Sequence, residues 1–137
     1  MGRILAIDYG KKRVGLAVTD PLKIIATGLA TIGAHELIPW LKAYLDKERV
    51  ERIIIGMPKD LQGRDTDATA LVREAIRVLQ KHFPQIPIEP IDERFTSKIA
   101  SRSLIESGLK KQARQDKSLI DQVSATLLLQ GYLQSVS

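Results

Sequence analysis

Three carboxylates stand where an acid requires a reason. Asp8 directly follows the apolar run Ile4-Leu5-Ala6-Ile7, so it falls at the C-terminal end of a β-prone segment, the end at which ligands bind in open α/β sheets. Glu93, preceded by Asp92, follows a second β-prone stretch from Ile86 to Ile91. Asp121 is the only charged side chain between Ser118 and Leu133, in a segment dominated by Leu, Ile, Val and Ala. A carboxylate in so apolar a helix needs a cation or several hydrogen bonds. Acids gathered on one rim raise one another's pKa unless a cation neutralises them. A hard divalent ion does this, and Mg²⁺ keeps open positions for water or a substrate phosphate. Two such ions about 4 Å apart would activate water and stabilise the leaving oxygen in phosphodiester hydrolysis.

Each acid also has an ordinary explanation when taken alone. Asp8 precedes Gly10 and could bond its own turn. Asp92-Glu93 could be an acidic surface loop neutralised by Arg94. Asp121 is close enough to a helix N-terminus for the macrodipole to relieve it. The three together are harder to dismiss, because the cations nearby would also gain a task. Lys11-Lys12-Arg13 follows Asp8 directly. From Arg94 to Lys117 lie seven basic residues (Arg94, Lys98, Arg102, Lys110, Lys111, Arg114, Lys117) against two acidic ones, a surplus equal to the +5 net charge of the whole chain. Such a rim suits a phosphate backbone.

The elements that must position these residues are legible from periodicity. Ile4–Ile7 and Val14–Val18, joined by a Gly-containing basic turn, read as a β-hairpin. Asp20-Pro21 turns the chain again, and Ile24 to Ile32 supplies a third strand, weakened by Gly28. Leu37, Leu41 and Tyr44-Leu45 then recur at helical spacing, with Pro39 tolerable only in the first turn. Ile53-Ile54-Ile55 is a buried strand ending at Gly56-Met57-Pro58. Ala68, Leu71, Val72, Ala75, Ile76 and Leu79 mark an amphipathic helix. Pro87 and Pro90 confine the Ile86–Ile91 strand to a sheet edge. Thr96 or Ser97 caps a helix ending near Gly108, and a last helix runs from about Lys117 to Leu133. The order βββαβαβαα implies an antiparallel meander followed by parallel strands with right-handed crossovers. Ser124 and Ala125 would let the last helix approach the sheet closely.

Composition bounds the classes. A length of 137 residues suits a single domain, 1–137, with a real core. With 44% hydrophobic and 27% charged residues and no cysteine, the chain reads as a soluble cytoplasmic protein without disulfides or thiolate metal sites. No apolar run approaches a membrane span, and the N-terminus does not read as a signal peptide. His35 and His82 read as surface residues, and Trp40, Phe83 and the three tyrosines are too scattered for a base-stacking platform.

Four segments, ILAIDYGKKRVGLAVTD, IIIGMPKDLQG, IDERFTS and KSLIDQVSATLLLQGYL, resemble the YqgF/RuvX family of bacterial ribonuclease H-like proteins, in order and over essentially the whole chain. The resemblance implies a mixed five-stranded sheet of order 3-2-1-4-5 with flanking helices. It implies that Asp8, Glu93 and Asp121 match the family's acidic positions, with Asp92 as neighbouring support; Gly10, like Gly15, suits a close backbone approach at that site or simply a tight turn. It further implies Mg²⁺ or Mn²⁺, with Asp8 bridging and Glu93 and Asp121 each completing a site. Family members are described as nucleases acting at the 5′ end of pre-16S ribosomal RNA and as Holliday junction resolvases. Ser124-Ala125, where Ala-Ala is expected, and Phe95, where an aliphatic is expected, depart from the pattern without touching an acid. The expected function is endonucleolytic cleavage of structured nucleic acid. RNA is favoured over branched DNA, and association with the ribosome or its processing machinery is compatible with this. A non-catalytic nucleic-acid-binding module is the alternative of a different class.

Overall fold

The computed structural model describes residues 2–58, 64–92 and 117–136. Its elements are β1 (Arg3–Tyr9), β2 (Arg13–Thr19), β3 (Ala26–Gly33), a 3-10 turn (Ala34–Glu36), α1 (Leu37–Lys47), β4 (Val50–Met57), α2 (Asp67–His82), β5 (Ile88–Asp92) and, after the undescribed segment, α3 (Lys117–Val136). The five strands form one sheet of order β3-β2-β1-β4-β5. β1 pairs antiparallel with β2 and parallel with β4, while β5 continues parallel at the edge. The expected meander and edge strand are both present. The expected helix from Thr96 or Ser97 lies outside the described residues.

Alternation along the strands splits the core in two. Leu5 and Ile7 of β1, Val14, Leu16 and Val18 of β2, and Ile53, Ile55 and Met57 of β4 join Leu41, Val72 and Leu79 of α1 and α2 in one cluster. Ile4, Ala6, Ala17 and Ile54 point the other way, onto Ala125, Leu128, Leu129 and Tyr132 of α3. Because both faces are covered, β1 and β4 read as continuous apolar runs. The period of two then decides where Asp8 goes: it follows Ile4 and Ala6 onto the α3 face.

Three local devices hold the frame. Pro39 is the third residue of α1, where its missing N–H costs no helical bond. Thr66 caps α2 by accepting from the Thr69 backbone N–H, and the Thr69 hydroxyl accepts from the Thr66 N–H in return. Pro87 contributes its carbonyl, which accepts from the Ile53 N–H at 2.9 Å, so the proline takes part in the edge without donating.

β3 starts later than its sequence suggests. Ile24 and Ile25 lie in the turn, exposed, because the Asp20 carboxylate accepts from both of their backbone N–H groups at 2.8 and 2.9 Å. That local bond outcompetes the first two rungs of the β2–β3 ladder.

Candidate active site

Asp8 is opposite Gly15 in the β1–β2 register, and Gly15 is where α3 comes down onto the sheet. A Cβ at Gly15 would come within 2.5 Å of the Asp121 carbonyl carbon and 3.0 Å of the Asp121 Cβ. Strand partners stand roughly 5 Å apart, so Asp121 arrives beside Asp8 through contact with its neighbour. Ala125 packs against Ile4, Ala6, Ala17 and Ile54 in the core beneath α3, and glycines of the sheet add to the close approach. Gly28 on β3, which the sequence presents as a weakness, lies beneath Gln122 and Thr126 of α3. Ala125 is buried as expected, but α3 is not buried all round: Gln130, Gly131, Gln134 and Ser135 are exposed.

The two carboxylates act on each other electrostatically. Burial, then the negative charge of Asp121, pushes the Asp8 carboxyl up from 3.8 to about 6. No hydrogen bond to the Asp8 carboxylate is present among the described residues. Asp121 is treated differently. The Arg13 Nε–H donates to its Oδ2 at 2.9 Å. Asp121 lies in the second turn of α3, so relief comes from this guanidinium more than from the helix dipole, which fades beyond the first turn. Nothing in the sequence pairs residues 13 and 121, which are 108 positions apart.

Around the acids is an open cleft of about 280 Å³ lined by Asp8, Gly10, Lys11, Lys12, Arg13 and Asp121. The tight Gly10–Arg13 turn holds its basic wall. The Gly10 N–H donates to the Arg13 carbonyl at 2.9 Å, and the Ala34 N–H donates to the Lys12 carbonyl at 3.0 Å. A side chain at position 10 would press against that Arg13 oxygen.

Asp92 ends β5, paired with Met57, at the sheet edge where Asp8 ends its own apolar run. Glu93 lies outside the described residues, as do Arg94, Lys98, Arg102, Lys110, Lys111 and Arg114; Lys117 opens α3 with only its backbone described. Two of the three expected carboxylates are therefore seen together. No group of three potential metal ligands occurs among the described residues. His35 and His82 are exposed, and neither lines the cleft. Trp40 and Tyr44, one helical turn apart, stack at 5.2 Å between ring centroids, a pairing the sequence reading did not anticipate.

A mixed 3-2-1-4-5 sheet with helices on both faces, one acid at the end of its central strand and a second on the helix packed over that strand, has the architecture of a ribonuclease H-like protein. The chain belongs to the RuvX family, whose model, described as "Holliday junction resolvase", matches residues 2–135. It is 50% identical over 135 residues to a Bacteroides thetaiotaomicron protein named "Putative pre-16S rRNA nuclease", covering 98% of both chains. A protein of the same name from Flavobacterium psychrophilum is 49% identical over 133 residues, covering 97% of both. Among solved structures, Thermus thermophilus RuvC in complex with a Holliday junction substrate matches with a TM-score of 0.54 at 18% identity. That match spans 98% of this chain and 96% of RuvC, a likeness of fold.

Proposed function

We propose that this chain is a divalent-metal-dependent endonuclease that hydrolyses phosphodiester bonds in structured RNA, processing the 5′ end of pre-16S ribosomal RNA. The observation that carries this reading is the convergence of Asp8 and Asp121 on one cleft walled by Lys11, Lys12 and Arg13. The donor set fits a hard cation. Asp8 is partly buried, raised to about 6 by burial and by Asp121, and both problems vanish when a cation is held between oxygens. A bound Mg²⁺ or Mn²⁺ would supply Lewis acidity to the phosphate and a more acidic water.

The chain's own groups do the rest. Asp8, near the end of the central strand β1, would be the shared ligand of a bound ion, and Asp121 and Glu93 would complete the ligand set, with Asp92 as support. Lys11 and Lys12 would hold the phosphates flanking the reacting one, and the seven basic residues from Arg94 to Lys117 supply further positive charge for the backbone. None of these cations reads a base, so selectivity comes from the shape of the RNA. The pre-16S substrate rests on the names of relatives half-identical over the full length.

The deciding experiment is cleavage of a labelled pre-16S 5′-leader RNA and a four-way DNA junction with Mg²⁺ or Mn²⁺, with Asp8→Asn as control. RNA cleavage lost in the control supports the reading. Cleavage of the junction alone moves the protein to recombination, the reading favoured by the family description. Tight, salt-dependent binding without cleavage of either would make it a binding module.

A further inference from the structure

Arg13 faces two kinds of anion. Its Nε is engaged with Asp121, yet its side chain remains 42% exposed on the cleft while that of Asp121 is 21% exposed. Its neighbours Lys11 and Lys12 line the same cleft and have no acidic partner among the described residues. The backbone of Arg13 is fixed twice, by its carbonyl accepting from Gly10 and by its register with Gly33 on β3. Its side chain, by contrast, is held by the single polar contact with Asp121 among the described residues.

We propose that Arg13 is an interim counterion. It neutralises Asp121 in the ion-free protein, gives that carboxylate up when a divalent cation binds, and then holds a phosphate of the nucleic acid. The inference rests on the metal-dependent reading above and adds the order in which one guanidinium serves two anions. Three physical points support it. A carboxylate kept ionised beside a second one is stabilised by a nearby cation, and the Arg13 side chain is in place before any ion binds. A partly exposed ion pair contributes at most about five-fold to an equilibrium constant, weak enough for a divalent ion to displace. The planar fork of arginine fits a phosphate as well as a carboxylate, so the released group has a second partner of matching geometry.

The test titrates Mn²⁺ alone into wild type, Arg13→Gln, Lys12→Gln and Asp8→Asn by calorimetry. It then measures RNA binding across salt, with Ca²⁺ and with EDTA. Arg13→Gln should bind Mn²⁺ about five-fold tighter. Lys12→Gln removes the same charge from the cleft without touching Asp121 and should shift Mn²⁺ by less than about two-fold. Arg13→Gln should also lower the salt slope of RNA binding by about one with Ca²⁺ and leave it unchanged in EDTA. Equal Mn²⁺ shifts in the two glutamine variants, or the same slope change in both buffers, would overturn the hand-over. Wild type that takes up no Mn²⁺, or takes it up as well with Asp8→Asn, would overturn the metal reading itself, a different failure. If Arg13→Gln does not fold, Arg13→Lys serves: its Mn²⁺ affinity should lie between wild type and the five-fold gain, and wild-type affinity in it would overturn the proposal.

Discussion

The main-chain carbonyl of Asp121 rests on the α-carbon of Gly15, closer than any side chain at that strand position would permit. This contact brings an acid on the last helix next to an acid on the first strand, since Gly15 is the register partner of Asp8. The site is thus assembled by an absence of atoms as much as by the carboxylates.

Gly15→Ala should therefore damage both fold and activity. The added methyl must displace α3 backbone, an overpacking that costs about 1–3 kcal/mol. By moving Asp121 relative to Asp8 it should lower cleavage by about 100-fold. Gly28→Ala is the comparison: its Cβ would meet the Gln122 side chain at 3.3 Å, which can give way, and should cost less than about 1 kcal/mol. Urea unfolding of both variants reads the difference, and equal losses would show that the Gly15 contact is not special.

The raised carboxyl of Asp8 makes a signed prediction about pH. Its folded pKa of about 6 lies above the unfolded 3.8, so the fold favours the protonated form. The stability tied to that proton is complete below about pH 4 and is lost as pH rises through about 6. Asp8→Asn never ionises. In EDTA it should be more stable than wild type by about 2–3 kcal/mol at pH 8 and similar to it at pH 4. Adding Mn²⁺ at pH 8 should raise the melting temperature of wild type and not that of the variant. Unfolding curves at the two pH values check both statements.

Gly131 sits in α3, exposed, with nothing within 4 Å of the Cβ it lacks. Replacing it by alanine restricts the unfolded chain and meets no neighbour, so Gly131→Ala should stabilise the protein by about 0.5–1 kcal/mol. Cleavage should not change, since the residue is remote from the cleft. A lower unfolding midpoint in this variant would indicate a contact at this exposed face.

The basic wall should behave as a phosphate contact and not as a reader of sequence. Lys11→Ala with Lys12→Ala should weaken binding of unrelated RNAs alike and reduce the salt slope by about two. Filter binding at several salt concentrations measures this. A loss confined to one RNA would assign base recognition to these lysines.

Most of the frame was readable from the chain because periodicity is a local property. The Ile4–Ile7 and Ile53–Ile55 runs, the 3.6-residue spacing from Ala68 to Leu79 and the prolines of β5 each report their surroundings within a few positions. They yield the strands, α1, α2 and the edge without reference to distant residues. The carboxylates were legible for the same reason: Asp8 by its place after an apolar run, Asp121 by its isolation in one. Local pattern misread β3 only where another local bond intervened, at Asp20 with Ile24 and Ile25.

Tertiary structure decided which groups meet. Residue types along α3 indicate a buried face, but not that its acid would stand over Gly15 or take its charge partner from Arg13 on the first hairpin. Gly28 looked like a defect in a strand and proved to be room for a helix, since the value of a missing Cβ depends on what packs above it. Identity and period specify the elements and the acids, whereas the distance between two acids 113 positions apart depends on how closely a helix can approach a sheet. That is a matter of steric fit between surfaces which exist only once the chain has folded.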